Sequence, residues 1–458
     1  MRILMLSWEY PPRSVGGLAR HVEDLASAIA DTRNEIHIVT CGTEETPEYE
    51  IVNGVHVHRF MPYPLSTPDF HTWVLQMNVK MLENVMKLIN RDGPFDIVHA
   101  HDWLAAFAGA AVKHAYQVPL VATLHATEAG RNHGLHNDQQ RYISSVEWWL
   151  AYEGWKVIVC SMHMKNEVHG IFSVPLDKIT VIPNGVRAEK FISVFVEHGF
   201  KNRFAREEEK IIFFVGRLVP EKGVQVLIES AAQILFTYPN AKFVIAGDGP
   251  MKNELCGLAK SRGLENKILF TGYVDDETRN KLYKIASVAV FPSFYEPFGI
   301  VALEAMAAGT PVVVSDTGGL SEIIIHGQNG LKAYPGNPDS LASNIIRLLT
   351  DEIYAEQISK GALRIVREVY DWNAIAEKTI KLYKVILKEH RRTPWGMQRP
   401  LDRFWNYALS FISQKEHEQE FKGEIKENED FQGSYLGRDY DLVNYRIAAN
   451  NHREGGNL

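Results

Sequence analysis

Two carboxylates, Glu296 and Glu304, flank a helix start in the stretch "FPSFYEPFGIVALEAMAAG" that runs from Phe291 to Gly309. Pro297 fits a first helical turn, where its missing N–H has no partner to lose, and Phe298, Gly299 and Ile300 then offer unpaired backbone N–H groups. Such an end attracts phosphate. A helix running from Phe298 would set Glu304 about two turns in, leaving Glu296 at the mouth of the same groove. That arrangement suits a sugar carried on a nucleotide. A glutamate in an Ala-rich helix is more often a solvated face, but the flanking "FPSFYEPFG" and "GTPVVVSDTGG" favour a functional reading.

The charge that such a ligand brings has a second set of residues to meet it. "FFVGRLVPEKG" places Arg217 and Lys222 in the loop after a strand, with Gly216 and Gly223 keeping the backbone compact. Fixed cations aimed at a departing diphosphate would lower the barrier to its release. The opening loop "YPPRSVGGLARH" adds Gly16 and Gly17 just before an amphipathic helix, where backbone N–H groups can approach a phosphate or sugar closely. "VHAHDWLAA" ends a strand at Asp102, and "VATLHATEAG" ends another at His125. Most of the 18 histidines are expected to be structural. No metal site is expected: the only D-x-D spacing, Asp439 and Asp441, reads as an accidental pair in a polar tail.

These residues must be held by something large. At 458 residues the chain exceeds one ordinary core, and two domains of about 200 residues are the default. Its 45% hydrophobic and 23% charged residues are those of a soluble globular protein, and a net charge of -7 argues against nucleic acid as a partner. Cys41, Cys160 and Cys256 are isolated from one another, giving neither a disulfide frame nor a metal spacing. There is no signal-peptide core and no membrane span, so a cytoplasmic location is expected.

β-Branched runs alternate with helical patterns, the mark of parallel α/β sheets. They fall at 3–6, 36–40, 97–100, 120–124, 157–160 and 179–182, and again at 211–215, 242–246, 268–271, 288–291 and 311–315. The charged, patternless segment Asn184–Lys210 separates the two series. The expected division is an N-terminal Rossmann-like domain over 1–190, a C-terminal one over 191–371, a helix over 372–390 and an extension over 391–458. Ligands of doubly wound sheets lie beyond the carboxyl ends of the strands, so the cleft between the domains is the expected site. In the extension, Leu401, Phe404, Trp405, Ala408, Leu409 and Ile412 form an apolar stripe suited to packing on the protein itself or in a homo-oligomer, with a membrane-surface helix the alternative.

Glu, seven residues, Glu, then "AMAAGTPVV" resembles the signature of the retaining glycosyltransferases of the two-Rossmann GT-B fold, and more specifically glycosyltransferase family 4. "GLARHVEDLA", "HAHDWL" and "LHATE" resemble the glycogen-synthase-like branch, and the likeness covers about residues 1–390. It implies that Glu296 faces the donor sugar hydroxyls and Glu304 the ribose, that Arg217 and Lys222 stabilise the leaving diphosphate, and that Asp102 and His125 contact the donor sugar and the reacting centre. Gly16, Gly17, Gly299 and Ile300 then line the phosphates, Val274 meets the base through its backbone, Asn184 and Gly185 form a hinge-side turn, and the helix after Trp372 crosses back onto the first domain. The implied partners are a nucleoside-diphosphate sugar and a carbohydrate acceptor, with no cofactor. Ser14 and Val15 depart from the Lys and Thr of family 5 starch and glycogen synthases, so the nucleotide stays open among ADP, UDP and GDP. The acceptor stays open among an α-glucan, a sugar phosphate and a small sugar or polyol. Other classes on the same fold are an epimerase, a phosphorylase and a noncatalytic sugar-binding module. No carboxylate pair is placed to act as a glycosidase-type nucleophile, which favours a front-face mechanism with retention.

Overall fold

The computed structural model describes residues 1–14 and 16–397; the stripe from Leu401 to Ile412, the segment after it and the Asp439/Asp441 pair lie outside those residues. Near-continuous Val, Ile and Leu runs make strands buried on both faces, which is what a parallel sheet covered by helices requires. In the first half they are β1 (Arg2–Leu6), β2 (Glu35–Cys41), β3 (Tyr49–Val52), β4 (Val55–Phe60), β5 (Ile97–His101), β6 (Leu120–Leu124), β7 (Lys156–Val159) and β8 (Ile179–Val181). In the second they are β9 (Lys210–Val215), β10 (Ala241–Ala246), β11 (Ile268–Gly272), β12 (Val288–Phe291), β13 (Val312–Ser315) and β14 (Leu331–Ala333).

The first eight strands form one sheet in the order β3-β4-β2-β1-β5-β6-β7-β8, and the last six form another in the order β11-β10-β9-β12-β13-β14. All neighbours are parallel except β3, which hairpins back on β4 with Tyr49 opposite His58. In each sheet the winding reverses once, between β1 and β5 and between β9 and β12. Loops leaving the carboxyl ends of those strand pairs diverge, and the crevice between them receives ligand.

The helix Trp372–His390 starts where the Asp371 carboxylate accepts the N–H groups of Asn373 and Ala374. Its Trp372, Ile375, Ala376, Tyr383 and Ile386 share one core with Ile3, Met5, Val22 and Leu25 of the first half. The Tyr383 hydroxyl lies 2.6 Å from His99 Nδ1 in β5, so the late helix is built into the first sheet's packing. The two passages between the halves touch, with Val186 N–H donating to the Tyr370 carbonyl at 2.9 Å. Gly185 permits this approach: a Cβ there would meet Ile375 and Trp372 at 2.8 Å. Segment 184–210 holds a short helix, Glu189–Ile192, and a 3-10 turn, Phe200–Arg203, pinned by buried Phe191, Phe200 and Phe204.

Candidate active site

The loops leaving β9 and β12, neighbours at the reversal of the second sheet, bring the charged residues together. Lys222 Nζ donates to Glu296 Oε2 at 2.6 Å, and the Glu296 side chain is buried. An ammonium carries three N–H donors, so this bond leaves others for a ligand. Arg217, half exposed, reaches Glu221 at 3.4 Å. Gly223, at φ 66°, sits where the two loops touch: a Cβ there would lie 2.0 Å from the Pro292 carbonyl oxygen. Glu221 adds a backbone tie, its carbonyl accepting Phe294 N–H at 2.8 Å. Beneath Glu296 run Gly318 and Gly319, the latter donating its N–H to the Glu296 carbonyl at 2.8 Å.

The helix after Glu296 starts later than its sequence implies. It spans Ile300–Ala307, with Gly299 at φ 108° as its N-cap and no capping side chain. Pro297 therefore lies outside the helix, its carbonyl accepting the Ser161 hydroxyl from the first half at 2.8 Å. The left-handed turn at Gly299 places that boundary, since a Cβ there would come within 2.4 Å of Leu320. Glu304 consequently sits little more than one turn in, not two. Its buried carboxylate accepts from Arg20 at 3.0 Å and from the Tyr283 hydroxyl at 3.1 Å, with Arg279 at 3.5 Å. Burial and the Glu304 charge hold the Tyr283 phenol well above its ordinary pKa.

Across the cleft, the helix Gly17–Ala30 starts from Gly16, again without a capping side chain. A Cβ on Gly17 would lie 3.2 Å from Ile300 Cδ1, so two uncapped helix starts lie close together across the cleft. Their first-turn N–H groups and macrodipoles both favour an anion between them. Asp102 and His125 end the adjacent strands β5 and β6. Asp102, at φ 63°, accepts His125 N–H through Oδ1 at 3.1 Å and fixes one loop against the other. Burial raises the Asp102 carboxyl to about 6 and lowers the His125 imidazole to about 4. Val274 stands apart from these groups in the sheet order, just past edge strand β11, two strands from β9.

Residues 15–190 match the family described as Glycosyltransferase Family 4, and residues 197–365 match Glycosyl transferases group 1. An uncharacterized glycosyltransferase of Methanocaldococcus jannaschii is 44% identical over 85% of this chain and 99% of its own length. The chain belongs to this glycosyltransferase family. A glycogen synthase of Mycobacterium tuberculosis is 36% identical over 86% of the chain and 96% of its length. Among solved structures, a sucrose-phosphate synthase from Thermosynechococcus elongatus superposes with a TM-score of 0.74 at 24% identity, covering 85% of this chain and 99% of that one. The fold of this glycosyltransferase is GT-B.

Several residues of the glycosyltransferase cleft were given no role by the sequence, though Arg20, Thr127 and Tyr295 lie within quoted motifs. Arg20 joins the halves through Glu304 and Asp276, the latter at 2.7 Å. Tyr295 donates its hydroxyl to Glu167 at 2.8 Å, and Glu167 also accepts the Thr127 hydroxyl at 2.6 Å. Glu322 accepts the Met162 and His163 N–H groups at 2.9 and 2.7 Å, capping a helix of the opposite half. The position of Tyr295, next to Glu296, was the one available signal; Glu167 and Glu322 are ordinary surface-type residues until the fold pairs them.

Proposed function

We propose that this glycosyltransferase works with retention and moves an α-hexosyl group, glucose in the first instance, from a nucleoside-diphosphate sugar to the end of an α-1,4-glucan. The observation that carries this reading is the meeting of two uncapped helix starts, at Gly17 and Ile300, beside the Lys222–Glu296 pair. A diphosphate would be held at these helix starts, with Arg217 and Lys222 taking its growing negative charge without a metal. Glu296 then faces the transferring sugar, and Glu304 the ribose. Asp102 and His125, half-buried past the ends of β5 and β6, offer the sugar a hydrogen-bonding carboxylate and a neutral imidazole. The acceptor hydroxyl attacks from the face that the diphosphate leaves, the diphosphate takes its proton, and the protein supplies orientation and charge. The 36% identity to a protein named glycogen synthase supports a glucan acceptor.

The test is nucleoside diphosphate release from ADP-glucose, UDP-glucose and GDP-sugars, with and without maltooligosaccharide. Release that maltooligosaccharide stimulates, with the product α-linked, supports the proposal. Release stimulated only by a small sugar or sugar phosphate moves the acceptor assignment, and no release from any donor overturns the reaction class. Chelation is expected to leave turnover intact; complete loss, restored by magnesium or manganese, would overturn the metal-free account.

A further inference from the structure

Three histidines from three different elements meet behind the cleft. His21 belongs to the helix Gly17–Ala30, His101 ends β5 and His125 follows β6. One ligating nitrogen from each lies within 4.8 Å of the other two. His101 Nδ1 and His125 Nε2 are 3.3 Å apart and share a hydrogen bond. In a tetrahedral zinc site with Zn–N bonds of about 2.0–2.1 Å, ligand nitrogens lie about 3.3–3.4 Å apart, so that pair already has the required separation. The His21 ring centroid is 4.6 Å from that of His125, so the third imidazole lies against the pair.

The environment also fits a cation of one class. His21 and His101 are buried, yet both ring nitrogens of His21 and Nε2 of His101 lack a hydrogen-bond partner. Asn184 lies beside His21 but outside hydrogen-bond geometry. Buried polar atoms ordinarily find partners, and a cluster of unpaired imidazole nitrogens calls for one. Burial keeps all three rings neutral, and the ion takes the place of the proton shared by His101 and His125, whose rings then each carry their N–H on the other nitrogen. Neutral imidazoles with no carboxylate among them suit zinc, cobalt or nickel, whereas magnesium and calcium take oxygen ligands.

We propose that His21, His101 and His125 form a binding site for a zinc-class divalent ion, and that its occupancy inhibits transfer. The ion ties the helix Gly17–Ala30 to the ends of β5 and β6 and engages the lone pair of His125, withdrawing that ring from the sugar. The inhibitory part rests on the role proposed for His125; the site itself does not.

Cobalt(II) titrated into the metal-free full chain should give tetrahedral visible bands saturating at one ion per chain, and their absence overturns the site. X-ray absorption of the cobalt-loaded wild type should count three imidazole ligands; none would overturn it without recourse to any variant. His21→Gln should melt close to wild type and bind cobalt about 10–100-fold more weakly. Zinc should raise the melting temperature of the wild type more than that of His21→Gln, since only a ligand held by the folded state stabilises it. Turnover of the wild type should fall in proportion to cobalt occupancy. Unslowed transfer in the loaded protein refutes the inhibition alone, and absence of transfer in the metal-free protein refutes only the transferase reading.

Discussion

The two halves of the cleft hold their polar residues by opposite means. In the second half the groups are charged and paired: Lys222 with Glu296 at 2.6 Å, Arg217 with Glu221 at 3.4 Å, and Glu304 with Arg20 at 3.0 Å. In the first half Asp102 and His125 are half-buried and shifted toward their neutral forms, Asp102 up to about 6 and His125 down to about 4, so near pH 7 the imidazole is neutral while the carboxylate stays mostly charged. A paired charge can be re-paired to a ligand, whereas a neutral imidazole can only orient one. The contrast is consistent with the proposal that Arg217 and Lys222 meet the diphosphate and that His125 orients the sugar.

Breaking the charged wall should have the largest effect. Arg217→Ala and Lys222→Ala are each expected to lower turnover by about 100-fold or more, because each removes charge that offsets the leaving diphosphate. Wild-type turnover in either would count against the whole site. Lys222→Ala also strands the buried Glu296 without its cation, so its loss should be the larger of the two.

Next comes the contact between the charged loops. Gly223→Ala demands a positive φ of an alanine and sets its Cβ 2.0 Å from a backbone oxygen. A loss of at least about 2 kcal/mol is expected, read by urea unfolding, together with slower transfer as the loops separate. Unchanged stability would show that the loops are not pressed together at Gly223.

The two acids divide the wall further. Glu296→Gln should mainly reduce kcat, by about tenfold or more, because its contact strengthens as the sugar becomes oxocarbenium-like. Glu304→Gln should mainly raise the donor KM, because a ribose contact is equally strong before and during reaction. Arg20→Ala sharpens the division, since it leaves Glu304 in place and removes only the cross-cleft partner; its KM change should be the smaller. The reverse pattern for the acids would exchange their roles.

The legibility of these features in the sequence differed by kind. The parallel sheets were readable because strands buried on both faces write continuous apolar runs, and the reversal points follow once the strands are counted. β4 was not, because "VHVHRF" puts histidines on alternate positions where polar residues argue against a buried run; in the fold His56 and His58 stack on His37 at 4.6 and 5.3 Å. β14 was not either, because its three residues "LKA" hold a lysine and no β-branched run, whereas the equally short β8 reads "ITV". Glu296, Lys222 and Arg217 were readable from loop and glycine context. The start of the helix at Ile300 was misplaced because Pro297 suits a first turn, and only the packing of Leu320 shows why Gly299 must turn the chain first. Arg20, Glu167 and Glu322 act through partners well over a hundred residues away in most cases, and no local pattern encodes such pairs.

The smallest expected effect probes the wall of the first half. The Asp102 carboxyl, ordinarily near 3.8, is raised by burial to about 6 in the fold. Between those values the folded protein keeps a proton that the unfolded chain has released, so stability falls as pH rises through this window and levels off above it. Asn in its place cannot titrate, retains an acceptor for the His125 N–H, and tolerates the positive φ as well as Asp does. Asp102→Asn should therefore gain on the wild type steadily from about pH 4 to about pH 6, and by a constant margin above that. Melting temperatures of both proteins at a series of pH values decide it, since titrations common to the two cancel in the difference. A difference that does not vary with pH would mean that Asp102 titrates alike in the folded and unfolded chain, and that the first half of the cleft is wetter than its burial implies.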